Sequence, residues 1–425
     1  MGKLFSLMVV LALAGCAIIE PHEERDVQRG VGLAIQEVYE RALPTLSEDK
    51  QRHFAQRLYR LTGEQRWWAL NHAYGERLLT RLEKDIVGLA EPGYAAARSR
   101  AIVDDYSQRT AKQRARRAML GEWGEIAFAR GLLFRLVQAE YHGMLPAIEG
   151  HERALDYLAE VDWAAFLTDP AVMGIYAAQV ANQAYFLHQL GVMDLRREVE
   201  AAFRRHYPPD RVAELDDAEY RNWLYGLTHF VIADSRYYQR KVDLEVHAWV
   251  LEALERETAG IMARATADIM ARATADIQAE VALAFLLADR EDHPLVGRVR
   301  EALVAAVDPA SGIIPSSTVE KGLAGGEHRN VLAIMVLRWP GRLYPGPDLS
   351  EGLGGGSTQA AFVFTSSNPV ATSLLCGQKG GPKASREHRY QRYTLGDLNF
   401  LPLSNNRHGA AINHILCSRD GGRQG

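Results

Sequence analysis

From about Glu23 to Trp339 the apolar residues recur at intervals of three and four, with Gly and Pro between the segments and not inside alternating runs. That spacing leaves room for little besides packed α-helices. It predicts roughly a dozen of them, including Ser47–Leu61, Gln65–Leu89, Asp156–Leu167, Pro170–Leu190, Asp217–Arg240, Asp243–Thr258, Thr274–Ala288, Pro294–Val307 and His328–Trp339. Ser47 is placed to cap free amide groups at a helix start, and Pro170 and Pro294 suit first-turn positions, where no amide donor is needed. Helices joined by short connections become antiparallel neighbours. The expected fold is therefore all-α, a stack of helix hairpins closing into an α/α toroid; an open solenoid has the same periodicity. The turn-forming segment Asp308–Pro315 resembles the Gly-containing loops at the mouth of such toroids, although Asp-Pro and Ser-Gly form ordinary turns equally well.

Composition supports one large core and excludes little else. The 425 residues are 47% hydrophobic and 24% charged, with a net charge of −4. No global field favours nucleic acid. The only cysteines, Cys16, Cys376 and Cys417, do not make a disulfide framework. A basic stretch, Arg109 to Arg117, reads as a solvated helix face in preference to a nucleic-acid patch.

The N-terminus carries more information. Met1, Gly2 and Lys3 form a short positive region, and Leu4 to Leu13 form an apolar run too short to cross a bilayer as a helix. The tetrapeptide Leu13-Ala14-Gly15-Cys16 then resembles a bacterial lipobox. This predicts a signal peptide over residues 1–15, with the Cys16 thiol as the acyl acceptor and residues 16–22 as a tether. Several acyl chains on one residue anchor stably where a single chain would not. In lipoproteins with such leaders, Ala17 instead of Asp implies sorting to the outer membrane. The expected location is the cell envelope, lipid-anchored and facing the periplasm, with the helical domain over residues 23–345.

Residues 346–425 are expected to form an irregular tail. Gly354-Gly355-Gly356-Ser357 is linker-like, and from Glu351 onward eight Lys and Arg face four Asp and Glu, giving +4 against −8 for the remainder. One internal repeat stands out: Ile261 to Asp268 reads IMARATAD, and Ile269 to Asp276 repeats it. Eight residues inserted into a continuous helix would turn its downstream half by roughly 80°. The extra copy is therefore expected to lengthen a helix start or a loop.

Four segments together resemble the bacterial lipoprotein family known as domain of unknown function 3541: Gln179–Gln183 (QVANQ), Tyr225–Gln239 (YGLTHFVIADSRYYQ), Asp276–Glu280 (DIQAE) and Gly326–Met335 (GEHRNVLAIM). The resemblance covers most of residues 20 to 345. It implies a lipoprotein and a toroid, and it implies no reaction.

The candidate chemistry lies in the same segments. Tyr225 and His229 are four apart and share a helix face, as do Asp276 and Glu280. His229 interrupts an apolar run, so a buried imidazole in need of partners is expected there. The candidate catalytic residues are His229, Asp276, Glu280 and His328, as general acids or bases, with Tyr225, Tyr238, Glu327 and Asn330 as candidate binding residues. His229 as an ordinary core histidine and Asp276 as a helix cap are the plainer readings. Trp67, Trp68, Tyr237 and Tyr238 could stack on sugar rings or simply fill the core.

No cofactor is identified. A mixed His and carboxylate set can take a divalent metal, but no tight ligand motif such as HExxH occurs. There is no P-loop, no dinucleotide fingerprint and no Gly-x-Ser-x-Gly elbow, so nucleotide chemistry is not expected. Two functions remain: an envelope enzyme acting on glycan or peptidoglycan fragments in a toroid cavity, and a non-catalytic lipoprotein that binds a protein or glycan partner.

Overall fold

The computed structural model describes residues 21–263, 274–315 and 322–350. Cys16, expected to carry the anchor, most of the duplicated octapeptide and the tail from residue 351 lie outside the described residues. Sixteen α-helices run through the rest, and among the described residues there is no strand beyond an isolated bridge between Asp308 and Ile313. They are α1 Pro21–Ala42, α2 Glu48–Thr62, α3 Trp68–Gly88, α4 Tyr94–Asp104, α5 Ala111–Glu122, α6 Ile126–Tyr141, α7 His151–Glu160, α8 Trp163–Thr168, α9 Pro170–Gln189, α10 Arg196–His206, α11 Pro209–Val212, α12 Asp217–Asp234, α13 Leu244–Ala263, α14 Ala275–Leu287, α15 Pro294–Ala305 and α16 Leu323–Leu337. The fold is all-α.

Six of these helices pack in succession. α6 lies on α9, α9 on α12, α12 on α14, α14 on α16 and α16 on α2. Gln56 of α2 donates to Gln138 of α6 at 3.2 Å, so the last of the series meets the first through side chains. α9, α12, α14 and α16 are apolar nearly all round, and each has a neighbour on both sides. The remaining helices cover these: α10 packs on α9, α13 on α12 and α14, α15 on α14 and α16, and α1 on α16. Amphipathic sequences such as RREVEAAFRRH in α10 fit that half-covered position.

Gly226 of α12 lies tightly against α9 and α10. A Cβ there would stand 2.4 Å from the Phe203 ring and 2.9 Å from the Ala177 Cβ, so only glycine permits the contact. The approach fixes the rotation of α12 and with it the direction of Tyr225, Thr228 and His229.

Several helix boundaries differ from those expected. Pro170 and Pro294 do open α9 and α15. Ser47 sits at the N-cap of α2 but makes no side-chain cap bond, whereas Thr110 and Gln113 form a capping box on α5 that was not anticipated. The stretch Asp156–Leu167 is two helices and not one, because Val161 turns extended and Asp162 caps α8 by accepting from the Ala165 amide at 3.1 Å. α12 ends at Asp234 and does not reach Arg240. α16 starts at Leu323, five residues before His328.

The body also runs past the expected boundary at 345. Leu349 is fully buried and its amide donates to the His142 carbonyl at 2.9 Å, while the Gly346 amide donates to Gln239 Oε1 at 2.9 Å. Of the duplicated residues, Ile261 to Ala263 are the last described turn of α13 and Thr274 to Asp276 lead into α14, while residues 264–273 lie outside the described residues. Asp276 and Glu280 share one uninterrupted helix, and where the extra copy is accommodated lies outside the described residues.

Candidate functional site

Polar side chains from α2, α9, α12, α14 and α16 meet between these helices. On α12, residues 225, 228 and 229 share a face. The Tyr225 hydroxyl donates to Asp276 Oδ2 at 2.7 Å, and Thr228 Oγ1 lies 2.8 Å from Glu280 Oε2. Asp276 and Glu280 are one turn apart on α14, so α12 holds both carboxyls. Asp276 is not the cap of that helix, since Thr274 occupies the N-cap position.

His229 is buried, and its Nδ1 lies 3.0 Å from Asn182 Oδ1 of α9. An amide oxygen only accepts, so Nδ1 carries the hydrogen and Nε2 carries the lone pair. That lone pair faces Glu280 Oε2 at 3.7 Å. His328 approaches the other oxygen, with Nε2 3.7 Å from Glu280 Oε1. The structure thus brings His229, Glu280 and His328 together around one carboxyl.

Burial sets the protonation of the group. It pushes the Glu280 carboxyl up to about 8, reinforced by the charge of Asp276 and opposed by the Thr228 hydrogen bond and Arg57. A protonated Glu280 can donate to Thr228, whose own hydrogen then goes to the Tyr225 carbonyl at 3.2 Å. Burial drives His229 down to about 3, with the Arg57 charge adding to it. Burial also opposes the charge on Asp276, but His328, Thr274, Tyr225 and Arg329 outweigh it and hold that carboxyl below its ordinary value. Two carboxyls on one helix face are thereby pushed in opposite directions.

A second pair lies alongside. His53 Nδ1 is 2.8 Å from Glu327 Oε1, and the His53 ring packs 5.3 Å from that of His328. Burial raises Glu327 to about 7 and depresses both imidazoles well below their ordinary value. Nε2 of His53, Nε2 of His229 and both ring nitrogens of His328 have no hydrogen-bond partner among the described residues. Buried polar atoms without partners are rare and are concentrated where a ligand or water is expected to complete them.

Arginines from α2 form the remaining wall. Arg57 is buried with its guanidinium over the Tyr238 ring at 5.5 Å, and Arg60, fully buried, donates to the Tyr237 carbonyl. Tyr237 and Tyr238 are held there by a run of left-handed residues: Arg236, Tyr237 and Tyr238 have φ of 55°, 57° and 71°. Such conformations cost about 1–2 kcal/mol per residue for non-glycines. Here the Ser235 hydroxyl stabilises the turn by bonding the Ile232 carbonyl at 2.7 Å and accepting from the Tyr238 amide at 2.9 Å. Strain of this kind collects at functional sites.

Not every expected site residue joins the cluster through its polar atoms. Asn330 is fully buried and commits its amide to Ile314, donating to its carbonyl at 2.9 Å and accepting from its amide at 2.8 Å. It clamps the turn Asp308–Pro315 onto α16. Tyr238 positions Arg57, and Glu327 pairs with His53. Trp67 is core, packed edge-on against Phe54 at 5.7 Å. The basic stretch is no plain solvated face: Arg116 is buried over the Tyr176 ring at 4.8 Å, and Arg117 donates to the Val103 carbonyl.

The sequence reading missed His53, Arg57, Asn182 and Thr228. Two of these lie inside the segments that carry the family resemblance, where Thr228 sits beside His229 and Asn182 beside Gln183. Among the described residues, no group of three or more His, Cys, Asp or Glu side chains is placed to hold a metal ion.

The profile of the domain of unknown function 3541 matches residues 29–354, some three quarters of the chain and all five helices that build the cluster. No curated protein and no solved structure matches. With most of its length, its core and its polar cluster inside the matched region, the chain belongs to the family of the domain of unknown function 3541.

Proposed function

We propose that this chain is a lipid-anchored enzyme of the cell envelope that hydrolyses a glycan by acid–base catalysis, with α2, α6, α9, α12, α14 and α16 as the inner wall of an α/α toroid. The observation that carries the reading is the geometry of the Asp276–Glu280 pair: on one face of one helix, Asp276 accepts from the Tyr225 hydroxyl at 2.7 Å and lies 3.5 Å from Arg329, surroundings that favour its charge, while Glu280 is buried with the His229 and His328 imidazoles 3.7 Å away, surroundings that favour its protonated form. Environments that push two titratable groups apart assign the base and the acid. Glu280 gives its proton to the glycosidic oxygen as the bond to the anomeric carbon breaks. Asp276 takes a proton from water, whose oxygen bonds to that carbon. Passage of the proton from Asp276 back to Glu280, with the His229 and His328 imidazoles flanking the latter, restores the starting state. The buried cluster favours this over a non-catalytic partner lipoprotein, which would be expected to use an outer surface.

The test is product analysis by mass spectrometry after incubating the detergent-solubilised protein with peptidoglycan fragments and envelope polysaccharides in H₂¹⁸O. Cleavage with one ¹⁸O per broken bond is expected. The rate should fall by about a hundredfold or more in Glu280→Gln, and in the parent protein it should decline as pH rises past about 8, where Glu280 ionises. Absence of cleavage, or full activity in the Gln variant, contradicts the proposal.

Anchoring rests on Cys16. Among the described residues no helix is long and apolar enough to cross a membrane. Cys16→Ser is expected to move the protein from the membrane fraction to the soluble fraction and to abolish labelling with a fatty-acid analogue. Retention of the Ser variant on membranes after a high-salt wash would overturn the anchor.

A further inference from the structure

Arg57 is a buried charge of the cluster that no ion pair answers. The residue is 3% exposed, its Nε has no hydrogen-bond partner, and no carboxylate among the described residues pairs with its guanidinium. It packs on the face of Tyr238, 5.5 Å from the ring centroid. It stands one turn after His53 on α2 and so shares the helix face that carries the His53–Glu327 pair and the His53–His328 ring contact, and its charge bears on His229, Glu280, Glu327 and His328.

No neighbouring acid pairs with it, and Glu327 offsets it only in part, from a distance. Asp276 is engaged by Tyr225 and lies 3.5 Å from Arg329, while Glu280 and Glu327 are buried carboxyls raised to about 8 and about 7. Water can satisfy the hydrogens of a buried guanidinium but cannot neutralise it. A ligand anion can. The planar fork of arginine matches a carboxylate with two parallel hydrogen bonds. Arg60, one turn on, spends one nitrogen on the Tyr237 carbonyl and leaves its Nε and its other terminal nitrogen without a hydrogen-bond partner, so a second buried cation adds to the attraction for an anion.

We infer that Arg57 recognises a carboxylate on the ligand, so that the glycan taken by this site is an acidic one, built from uronic acid or muramic acid units. The inference rests on the reading of the ligand as a glycan.

It is tested by calorimetric titration of the full-length protein in detergent with four disaccharides, digalacturonate against galactobiose and N-acetylglucosaminyl-N-acetylmuramic acid against chitobiose, and with glucose 1-phosphate. At least one acidic sugar is expected to bind ten times or more tighter than its neutral counterpart, and the pair that responds identifies the source of the carboxylate. Arg57→Met and Arg57→Gln should both remove that preference without lowering the melting temperature. Equal binding of acidic and neutral sugars, binding of none, preference for glucose 1-phosphate over both acids, or survival of the preference in the variants overturns the inference. So does a lower melting temperature in both variants, which would mean that the charge is satisfied within the fold. Binding and turnover separate the two readings: an acidic glycan bound but not cleaved removes the enzyme and keeps the recognition, while cleavage of neutral glycans alone does the reverse.

Discussion

Glu280→Gln is expected to stabilise the protein in alkaline solution even as it removes activity. The ordinary carboxyl value of 4.5 is raised to about 8 in the folded chain. Below pH 4.5 folded and unfolded states both hold the proton, and the group has no effect on the difference. Above it the unfolded state ionises freely while the folded state does not, so stability is lost as pH rises, until the folded group also ionises near 8. At about 1.4 kcal/mol per unit, the loss reaches roughly 3 kcal/mol at pH 7 and roughly 5 above pH 8. Glutamine keeps the shape, can still donate to Thr228, and has no such loss. Denaturant unfolding of parent and variant from pH 5 to 9 reads it directly: the parent should weaken steeply and the variant less, with a residual slope up to about pH 7 from Glu327. Parallel curves would show that Glu280 titrates normally and would remove it as a general acid. His229 works in the opposite direction. Its value falls from 6.5 to about 3, so its unfavourable contribution grows as pH falls through that range. The site thus weakens the fold on both sides of mildly acidic pH, as expected of residues kept for chemistry and not for stability.

The parts of this site that could be read from the sequence are those where a polar residue breaks an apolar run. His229 lies within Gly226-Leu227-Thr228-His229-Phe230-Val231, and Asp276, Glu280, Glu327 and His328 border equally apolar helices, so burial and a need for partners followed from periodicity alone. α2 hides its share for the opposite reason. His53, Gln56, Arg57 and Arg60 recur at three- and four-residue spacing opposite Phe54, Leu58 and Leu61, which is the pattern of an ordinary half-exposed helix. Only packing reveals that both faces are covered: α16 lies over α2, Tyr238 faces Arg57, and the polar stripe turns inward. The left-handed run at Arg236, Tyr237 and Tyr238 was illegible as well. No Gly or Pro marks it, and a serine hydroxyl together with tertiary contacts overrides a local preference for continuing the helix.

A buried arginine that serves the fold looks different from Arg57, and Asp85 allows the comparison. Asp85 on α3 is 4% exposed, accepts from the Tyr94 hydroxyl at 2.9 Å and from Arg135 of α6 at 2.6 Å, and has Arg98 of α4 at 3.9 Å. It joins three helices through one carboxylate. Asp85→Ala removes the partner and leaves Arg135, whose side chain is 13% exposed, as an uncompensated buried charge. Breaking a buried pair in this way costs about 3–5 kcal/mol, and the loss should appear as a large drop in the denaturant midpoint with little change in slope. Replacing both residues, Asp85→Ala with Arg135→Met, is expected to recover much of it, because the stranded charge goes too. If the single variant unfolds like the parent, Asp85 does not organise this junction. If the double variant is no better than the single, the loss belongs to the Tyr94 contact and to packing. The contrast with Arg57 is the informative result: removing the acid beside Arg135 should destabilise the protein, whereas removing Arg57 itself should not, since one charge is balanced by the fold and the other awaits a ligand.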